Sequence, residues 1–377
     1  LITGRYGHRF GYECNLSDRT NGLPLEEETI AEVFKTNGYR TAAIGKWHLG
    51  SRDEQHPNNR GFDLFYGMKA GGRDYFYNEK KSDRPGDERN LLLNDRQVKF
   101  EKYLTDAFSE KAVEFINESS QPFMMYLAYN AVHTPMQATD EDMAKFEGHP
   151  RQKLAAMTYA LDRGVGTVIR GLKDSGKFDN TLIFFLIDNG GATTNQSSNY
   201  PLKGFKGNKF EGGHRVPYFV VWKNGIPAGK PYDGLVSSLD IFATAIDAAS
   251  ISKTRNRLDG VSLLPYLKGK KGEPHKVLYW RKMDTRAIRS GDYKLIITHG
   301  VDSVLYNIRR DPEEMNNLIN KEPDLYRKLA KKLAKWEKNE CIEPSWLEEG
   351  WRKITNRYHQ QLMHNEIKTA QDLYKKK

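Results

Sequence analysis

The chain has 377 residues, which is enough for one large domain or two unequal domains around a substantial core. Its net charge of +10 is concentrated in residues 266–377, where 25 Lys and Arg residues outnumber 16 Asp and Glu residues. A basic region of this kind can attract a polyanion, but the excess charge is also explained if it only keeps the protein soluble. Cys14 and Cys341 form no disulfide framework or metal-binding spacing, no apolar stretch reaches transmembrane length, and we predict no nucleic-acid partner.

The first elements along the chain are a helix and a short strand. Residues Leu1 to Arg5 open the sequence, and apolar residues at helical spacing follow Pro24. Residues 39–44 predict a strand that leads directly to Lys46 and His48. Taken alone, a lysine and a histidine in this pattern are more often surface residues than functional ones.

The next segment, residues 51–100, is rich in Gly, Asp, Asn and aromatic residues, which predicts loops with short strands. Residues 123–127 form another apolar strand, and His133 follows its end. A lone histidine is usually a satisfied core or surface residue, so this position alone does not identify a role for it.

The middle of the chain contains the clearest helix and the most buried strand. The helix is predicted over residues 151–172, and the unbroken apolar run 182–187 is typical of a strand covered on both faces in a parallel sheet. Asp188 and Asn189 follow at its carboxyl end, where ligands bind in open α/β sheets. Two adjacent oxygen donors suit Ca²⁺ or Mg²⁺, but Asp-Asn-Gly-Gly is equally a common tight turn.

A glycine-rich, basic segment at residues 201–217 joins that strand to a second apolar strand at 218–222. Glycines allow backbone to approach a ligand closely, and lysines such as Lys206 supply mobile charges for an oxyanion. A run of charge is usually a solvated face, but this one lies between two predicted strands. A helix is predicted next, from about residue 238 to 249.

The pattern of predicted elements changes beyond residue 265. Short strands are predicted at residues 277–279, 286–288, 293–297 and 305–307, followed by a basic helix with an apolar stripe at 325–336. We therefore predict a main α/β region at 1–265, a four-stranded antiparallel sheet with one helix at 266–340, and a tail at 341–377. The tail carries Trp346 and Trp351, which suggests that it packs against the body.

Three motifs together resemble those of the sulfatase family in the alkaline phosphatase superfamily. They are Gly-Tyr-x-Thr-x-x-x-Gly-Lys-x-His, ending at His48; Tyr-Asn-Ala-x-His-x-Pro, around His133; and Asp-Asn-Gly, Lys-Gly and Glu-Gly-Gly-x-Arg-x-Pro, from Asp188 onward. The opening residues resemble the end of the signature Cys/Ser-x-Pro-x-Arg-x-x-Leu-x-Thr-Gly-Arg. The resemblance covers most of residues 1–340. It implies an α/β fold with a mostly parallel central sheet flanked by helices and a small C-terminal antiparallel subdomain.

The resemblance also implies a function, a sulfuric ester hydrolase of the arylsulfatase or N-acetylgalactosamine-6-sulfatase type. Its substrate would be a sulfated carbohydrate or another sulfate ester. Asp188 and Asn189 would be ligands of Ca²⁺, with Mg²⁺ as the alternative, and Lys46 and Lys206 would bind the sulfate. The resemblance further implies a periplasmic, extracellular or lysosomal location.

The two histidines and the nucleophile would complete this catalytic set. By the same resemblance, His133 would bind the substrate and protonate the leaving oxygen, and His48 would act as a base on the formylglycine hydrate. The Cys or Ser that becomes formylglycine would lie upstream of Leu1, as would the remaining metal ligands. We therefore expect residues 1–377 alone to be inactive.

Two alternatives remain open. A phosphatase or phosphonate hydrolase of the same superfamily would use a different nucleophile and a zinc-type set of His and Asp ligands, which the sequence near Asp188 does not contain. A catalytically inactive, sulfatase-like binding protein would keep the oxyanion pocket but carry another residue at the nucleophile position.

Overall fold

The computed structural model describes residues 1–13, 21–345 and 349–375. Cys14 and Trp346, both considered above, lie outside those ranges. None of the helices in the described ranges combines the length and the apolar character that crossing a bilayer requires.

The elements follow one another in a largely alternating order. The strands are β1 (Arg40–Lys46), β2 (Leu64–Met68), β3 (Leu92–Leu93), β4 (Arg96–Gln97), β5 (Phe123–Ala128), β6 (Ile183–Leu186), β7 (Tyr218–Val221), β8 (Val277–Lys282), β9 (Thr285–Ser290), β10 (Tyr293–Thr298) and β11 (Asp302–Asn307). The helices are α1 (Ile30–Thr36), α2 (Leu104–Glu118), α3 (Asp140–Ala144), α4 (Gln152–Asp174), α5 (Glu211–His214), α6 (Asp240–Ala248), α7 (Leu264–Leu267), α8 (Pro323–Glu340), α9 (Glu349–Met363) and α10 (Asp372–Lys375).

The central sheet has five strands in the order β4-β3-β2-β1-β5. Strand β1 runs parallel to both β2 and β5, with Ile44 opposite Tyr66 on one side and Leu127 on the other. Successive side chains of β1 point to opposite faces, so Ile44 packs in the core beneath α2 and α4 while Ala43 packs in the core beneath α1 and α6. This arrangement confirms the expected α/β fold with a mostly parallel central sheet.

Strand β6 departs from the prediction that it is buried inside the parallel sheet. It pairs in antiparallel register with β7, and within the described ranges it has no other strand partner. Phe185 and Ile187 are 36% and 45% exposed. The expectation of burial on both faces was wrong because an apolar run reveals a strand but not its neighbours. Residues of β5 and β6 instead line one large cavity.

The C-terminal strands form a second sheet in the order β11-β10-β9-β8, with every pairing antiparallel. Helix α8 covers one face through Leu329, Leu333 and Trp336, which pack against Ile288 and Leu295. The predicted four-stranded antiparallel sheet with one packed helix is therefore present. The exact boundaries of 265 and 340 stay a prediction.

The tail packs against the glycine-rich segment. Leu362 and Met363 of α9 share a core with Phe205 and Phe210, the residues that flank Lys206 to Lys209. Trp351 takes no part in that core, because its side chain is 53% exposed. The tail thus packs on the body through Leu362, Met363 and the ring of Tyr358, which lies edge-on to Phe205, and not through this tryptophan.

Candidate active site

Strand β1 delivers the first two candidate residues. Lys46 is its last residue, and His48 follows two positions later with a left-handed φ of 52°. The intervening Trp47 is buried and donates its Nε1–H to the carbonyl of Gln55 at 3.0 Å. This anchor fixes the backbone between the two residues, and both of them line the central cavity.

His133 follows β5, the neighbour of β1. Its Nδ1 lies 2.8 Å from the carbonyl oxygen of Thr134, and the hydroxyl of Tyr75 donates to the main-chain oxygens of Asn130 and His133 at 2.7 and 2.9 Å. A carbonyl can only accept, so the neutral ring carries its proton on Nδ1 and leaves Nε2 unprotonated. The buried Tyr75 holds this loop in place.

The glycine pair Gly71-Gly72 lies against both histidines. A Cβ at Gly71 would stand 2.6 Å from Cε1 of His48, and one at Gly72 would stand 3.3 Å from Nδ1 of His133. Any side chain at Gly71 would therefore displace His48. Sequence reasoning assigned no role to this pair, although two adjacent glycines in a polar loop were a visible signal.

Arg73 directly follows this glycine pair in the sequence. It is buried, and its Nη2 donates to both carboxylate oxygens of Asp83 at 2.8 Å. Its other nitrogens donate to the main-chain oxygens of Asp74 and Arg89. These hydrogen bonds of Arg73 hold the loop that carries Gly71 in place.

Asp188 and Asn189 follow β6 and line the same cavity. Within the described part of the chain, neither side chain has a hydrogen bond or an ion pair. The next turn is joined to the segment of Lys206, because Gly190 donates to the carbonyl of Gly213 at 3.1 Å and Lys206 donates its main-chain N–H to Gly191 at 3.0 Å. A Cβ at Gly190 would stand 1.8 Å from the oxygen of Gly212, so this contact requires glycine.

The charged groups influence one another's pKa values. Burial lowers the pKa of Lys46, while Asp188 opposes this shift and Lys206 adds to it. Burial, followed by the charges of Lys46 and Lys206, lowers the pKa of His48 to about 4. Burial also lowers the pKa of His133, with Lys206 and Lys46 contributing in the same direction. The structure thus brings the predicted residues together around one positively charged cavity, with His48 neutral at pH 7.

The oxygen donors of Asp188 and Asn189 partly fit a divalent cation. The described residues contain no group of three or more His, Cys, Asp or Glu side chains placed to hold a metal ion. Asp188 and Asn189 nevertheless supply two hard oxygen donors that have no partner among the described residues, and such donors are the ligands that Ca²⁺ prefers. They fit part of a calcium site.

Comparison with known proteins decides the family. The profile of the family described as Sulfatase matches residues 1–251. The chain belongs to the sulfatase family. A second profile, described as N-sulphoglucosamine sulphohydrolase, C-terminal, matches residues 206–339 and so covers the antiparallel sheet of this sulfatase.

Relatives of this sulfatase occur in bacteria and mammals. It is 37% identical over 313 residues to the uncharacterized sulfatase YdeN of Escherichia coli (strain K12), covering 74% of this chain and 54% of that protein. It is 30% identical over 318 residues to N-acetylgalactosamine-6-sulfatase of Canis lupus familiaris, covering 78% of this chain and 60% of that protein. The chain therefore spans little more than half the length of these two relatives.

A solved structure is also similar. The crystal structure of Ps i-CgsB in complex with k-i-k-neocarrahexaose matches with a TM-score of 0.85 and 36% identity, covering 95% of this chain and 84% of that one. This match therefore extends over nearly the whole of the sulfatase chain.

Proposed function

We propose that this chain forms most of the catalytic domain of a sulfuric ester hydrolase that removes sulfate from a sulfated carbohydrate or an aryl sulfate. The observation that carries the proposal is the cluster of Lys46, Lys206, His48 and His133 around one cavity, where the charge of Lys206 adds to burial in lowering the pKa values of Lys46, His48 and His133. Such a cluster suits an anionic ester, because hydrolysis must neutralise the ester oxygens and transfer protons.

The two lysines would bind the oxygens of the sulfate. Lys46 is half-buried at the end of β1, whereas Lys206 is exposed on the glycine-rich segment, so they approach the cavity from different elements. Two ammonium groups offset the negative charge of the bound ester and of the transition state. No described acidic residue forms an ion pair with either lysine, which leaves both available for the substrate.

The two histidines would act as the general base and the general acid. The neutral His48 is suited to accept a proton, since burial and the lysines keep its pKa near 4. His133 would donate a proton from Nε2 to the leaving oxygen. A bound sulfate anion counteracts the two lysines and raises the pKa of His133, so substrate binding itself favours the protonated acid.

Two parts of the proposed enzyme require groups beyond these side chains. Asp188 and Asn189 would hold Ca²⁺, with Mg²⁺ as the alternative; a bound divalent cation supplies charge neutralisation and Lewis acidity. The family signature also implies a formylglycine nucleophile, which would attack the sulfur of the bound ester.

A carbohydrate substrate is supported by the similar proteins. One relative is named N-acetylgalactosamine-6-sulfatase, and the structure of Ps i-CgsB was solved with k-i-k-neocarrahexaose. The excess of positive charge in residues 266–377 fits a polyanionic carbohydrate. A periplasmic, extracellular or lysosomal location would be compatible with such a substrate.

The test uses the full-length protein, produced with a system that oxidises the nucleophile residue to formylglycine. We expect hydrolysis of 4-methylumbelliferyl sulfate, strong preference over the corresponding phosphate, and loss of turnover in Lys46→Ala. Preference for the phosphate would favour the phosphatase alternative. Binding of sulfate esters without turnover, in protein shown by mass spectrometry to carry formylglycine, would favour the inactive binding protein.

A further inference from the structure

We propose that Lys282 binds a second oxyanion group of the same carbohydrate substrate, beside the sulfate held by Lys206. This inference rests on the proposed function, and it assigns a binding role to the C-terminal sheet. The ligand class is a carbohydrate that carries at least two sulfate or carboxylate groups on one sugar or on adjoining sugars.

Lys282 stands at the tip of a rigid hairpin. It is the last residue of β8, it pairs with Thr285 across the turn, and Met283 adopts a left-handed φ of 52°. The turn residue Asp284 accepts two hydrogen bonds of 2.7 Å from Arg352 of α9. The tail helix therefore fixes the position from which Lys282 extends.

The ammonium of Lys282 lies beside the proposed sulfate-binding segment. A Cβ at Gly207 would stand 3.6 Å from its Nζ, and Gly207 directly follows Lys206. Bond geometry then places Nζ within about 9 Å of the Cα of Lys206. Both lysines line the same cavity, so a ligand bound to one can extend toward the other.

Among the residues that the structure describes, Lys282 has no counter-ion. Its side chain is half-buried, yet within the described ranges it makes neither a hydrogen bond nor an ion pair. Lys294 of the same sheet differs, because it contacts the carboxylates of Glu211 and Glu314. The nearby Asp284 carboxylate is occupied by Arg352 and Asn356. A partly desolvated ammonium with no partner gains from an external oxyanion.

Other positively charged side chains lie close to Lys282. Burial lowers the pKa of His359, and the charges of Lys209 and Lys282 lower it further, which places both lysines close to that ring. Lys206, Lys209 and Lys282 all line the cavity, and Lys282 lies close both to Gly207, next to Lys206, and to His359 beside Lys209. Three cations grouped in this way attract a polyanion and orient it with one of its groups toward Lys206.

The experiment measures binding by calorimetry with the full-length protein and needs no turnover. The probe is sucrose octasulfate, a compact carbohydrate with several sulfates, and inorganic sulfate serves as the single-oxyanion comparison. The variants are Lys282→Ala, Lys282→Arg, which keeps the charge, and Lys276→Ala. Lys276 is an exposed lysine one residue before β8 and does not line the cavity, so it is the matched control.

We expect Lys282→Ala to weaken sucrose octasulfate binding about tenfold or more, since a charge-assisted contact is lost. The same substitution should reduce the affinity for inorganic sulfate much less. The affinity of Lys282→Arg for sucrose octasulfate should stay within about threefold of the wild-type value, and that of Lys276→Ala should equal the wild-type value. Equal affinity of wild type and Lys282→Ala for sucrose octasulfate, including no measurable binding by either, would overturn the proposal. Failure of the proposed function would appear separately, as absent aryl sulfate hydrolysis by the wild-type protein.

Discussion

The carboxylate of Glu314 accepts the main-chain N–H of Glu211 at 2.6 Å, deep between the glycine-rich segment and the C-terminal sheet. Lys294 of β10 lies 2.8 Å from the Glu211 carboxylate and 3.0 Å from that of Glu314, and all three side chains are buried. Lys203 adds a hydrogen bond to the carbonyl of Glu314 at 3.0 Å. These contacts bind the segment that carries Lys206 to the second sheet.

This network predicts a large cost when its central cation is removed. Lys294→Met leaves two buried carboxylates without their ammonium, so we expect the free energy of unfolding to fall by roughly 3–5 kcal/mol. Urea denaturation of the full-length protein measures the change. Lys276→Ala, on the exposed surface, should change it by less than about 0.5 kcal/mol. A comparably small effect of Lys294→Met would mean that Arg289 and Arg215, which lie 3.5 and 3.6 Å from the Glu211 carboxylate, together with protonation of Glu314, offset the loss of the ammonium.

A second prediction concerns acid sensitivity through His359. Its Nδ1–H donates to the carbonyl of Thr355 at 2.8 Å, and its Nε2 accepts the main-chain N–H of Lys209 at 3.3 Å, so the Nε2 contact requires a neutral ring. Burial lowers the pKa of His359 to about 4. In the unfolded chain the pKa is about 6.5, so the unfolded state binds more protons between these values.

The free energy of unfolding should therefore rise with pH across that window and fall by up to roughly 3 kcal/mol as the pH drops from 6.5 to 4. Other buried histidines contribute too, so the informative quantity is the difference between wild type and His359→Gln. The neutral glutamine can keep both contacts, and its variant should show a flatter dependence in urea titrations at several pH values. Identical pH profiles would place the folded-state pKa of His359 near its ordinary value.

Metal binding gives a third prediction. In the full-length protein, Asp188→Ala should abolish or strongly weaken Ca²⁺ binding, because it removes a charged oxygen ligand from a site with few neutral alternatives. Calorimetric titration with Ca²⁺ checks this, with Asp233→Ala, a carboxylate on another part of the cavity wall, as the control. Unchanged Ca²⁺ affinity in Asp188→Ala would remove Asp188 from the ligand set.

The sequence was most informative where a candidate residue lies at or shortly after the end of a strand. Lys46 ends β1, and His133 and Asp188 follow β5 and β6, so all three come after an apolar run, and strand ends gather at one edge of an α/β fold. The individual roles of these residues were predicted from the motifs, because strand position alone cannot distinguish them, and they stay predictions.

Contacts between segments distant in sequence were less predictable. Three such contacts depend on how separate elements pack: Gly71 with His48, Lys282 with Gly207, and His359 with Lys209. The exposure of Phe185 was missed for the same reason, since hydrophobicity does not identify the neighbours of a strand. The local sequence pattern thus predicted the helices and strands and where they end. The burial of each element and its contacts with distant segments were determined by packing.

A fourth prediction addresses Lys206 in catalysis. Lys206→Ala should reduce kcat/KM of the full-length enzyme by an amount equivalent to roughly 3 kcal/mol or more, because a charge-assisted contact to the reacting oxyanion is lost. Steady-state kinetics with an aryl sulfate measure the loss, and Lys276→Ala provides the control. A loss below about 1 kcal/mol would indicate that Lys206 stays in solvent during the reaction.

The last prediction separates the two histidines by the leaving group of the substrate. An aryl sulfate releases a phenolate that needs little protonation, whereas a sugar sulfate releases an alkoxide that needs a proton. If His133 is the general acid, His133→Ala should reduce kcat for a sugar sulfate far more than for an aryl sulfate. His48→Ala should impair both substrates and cause sulfated enzyme to accumulate, which intact-protein mass spectrometry after rapid quenching detects. Equal losses on both substrates in His133→Ala would contradict the assignment of the acid, and an absence of sulfated enzyme in His48→Ala would contradict the assignment of the base.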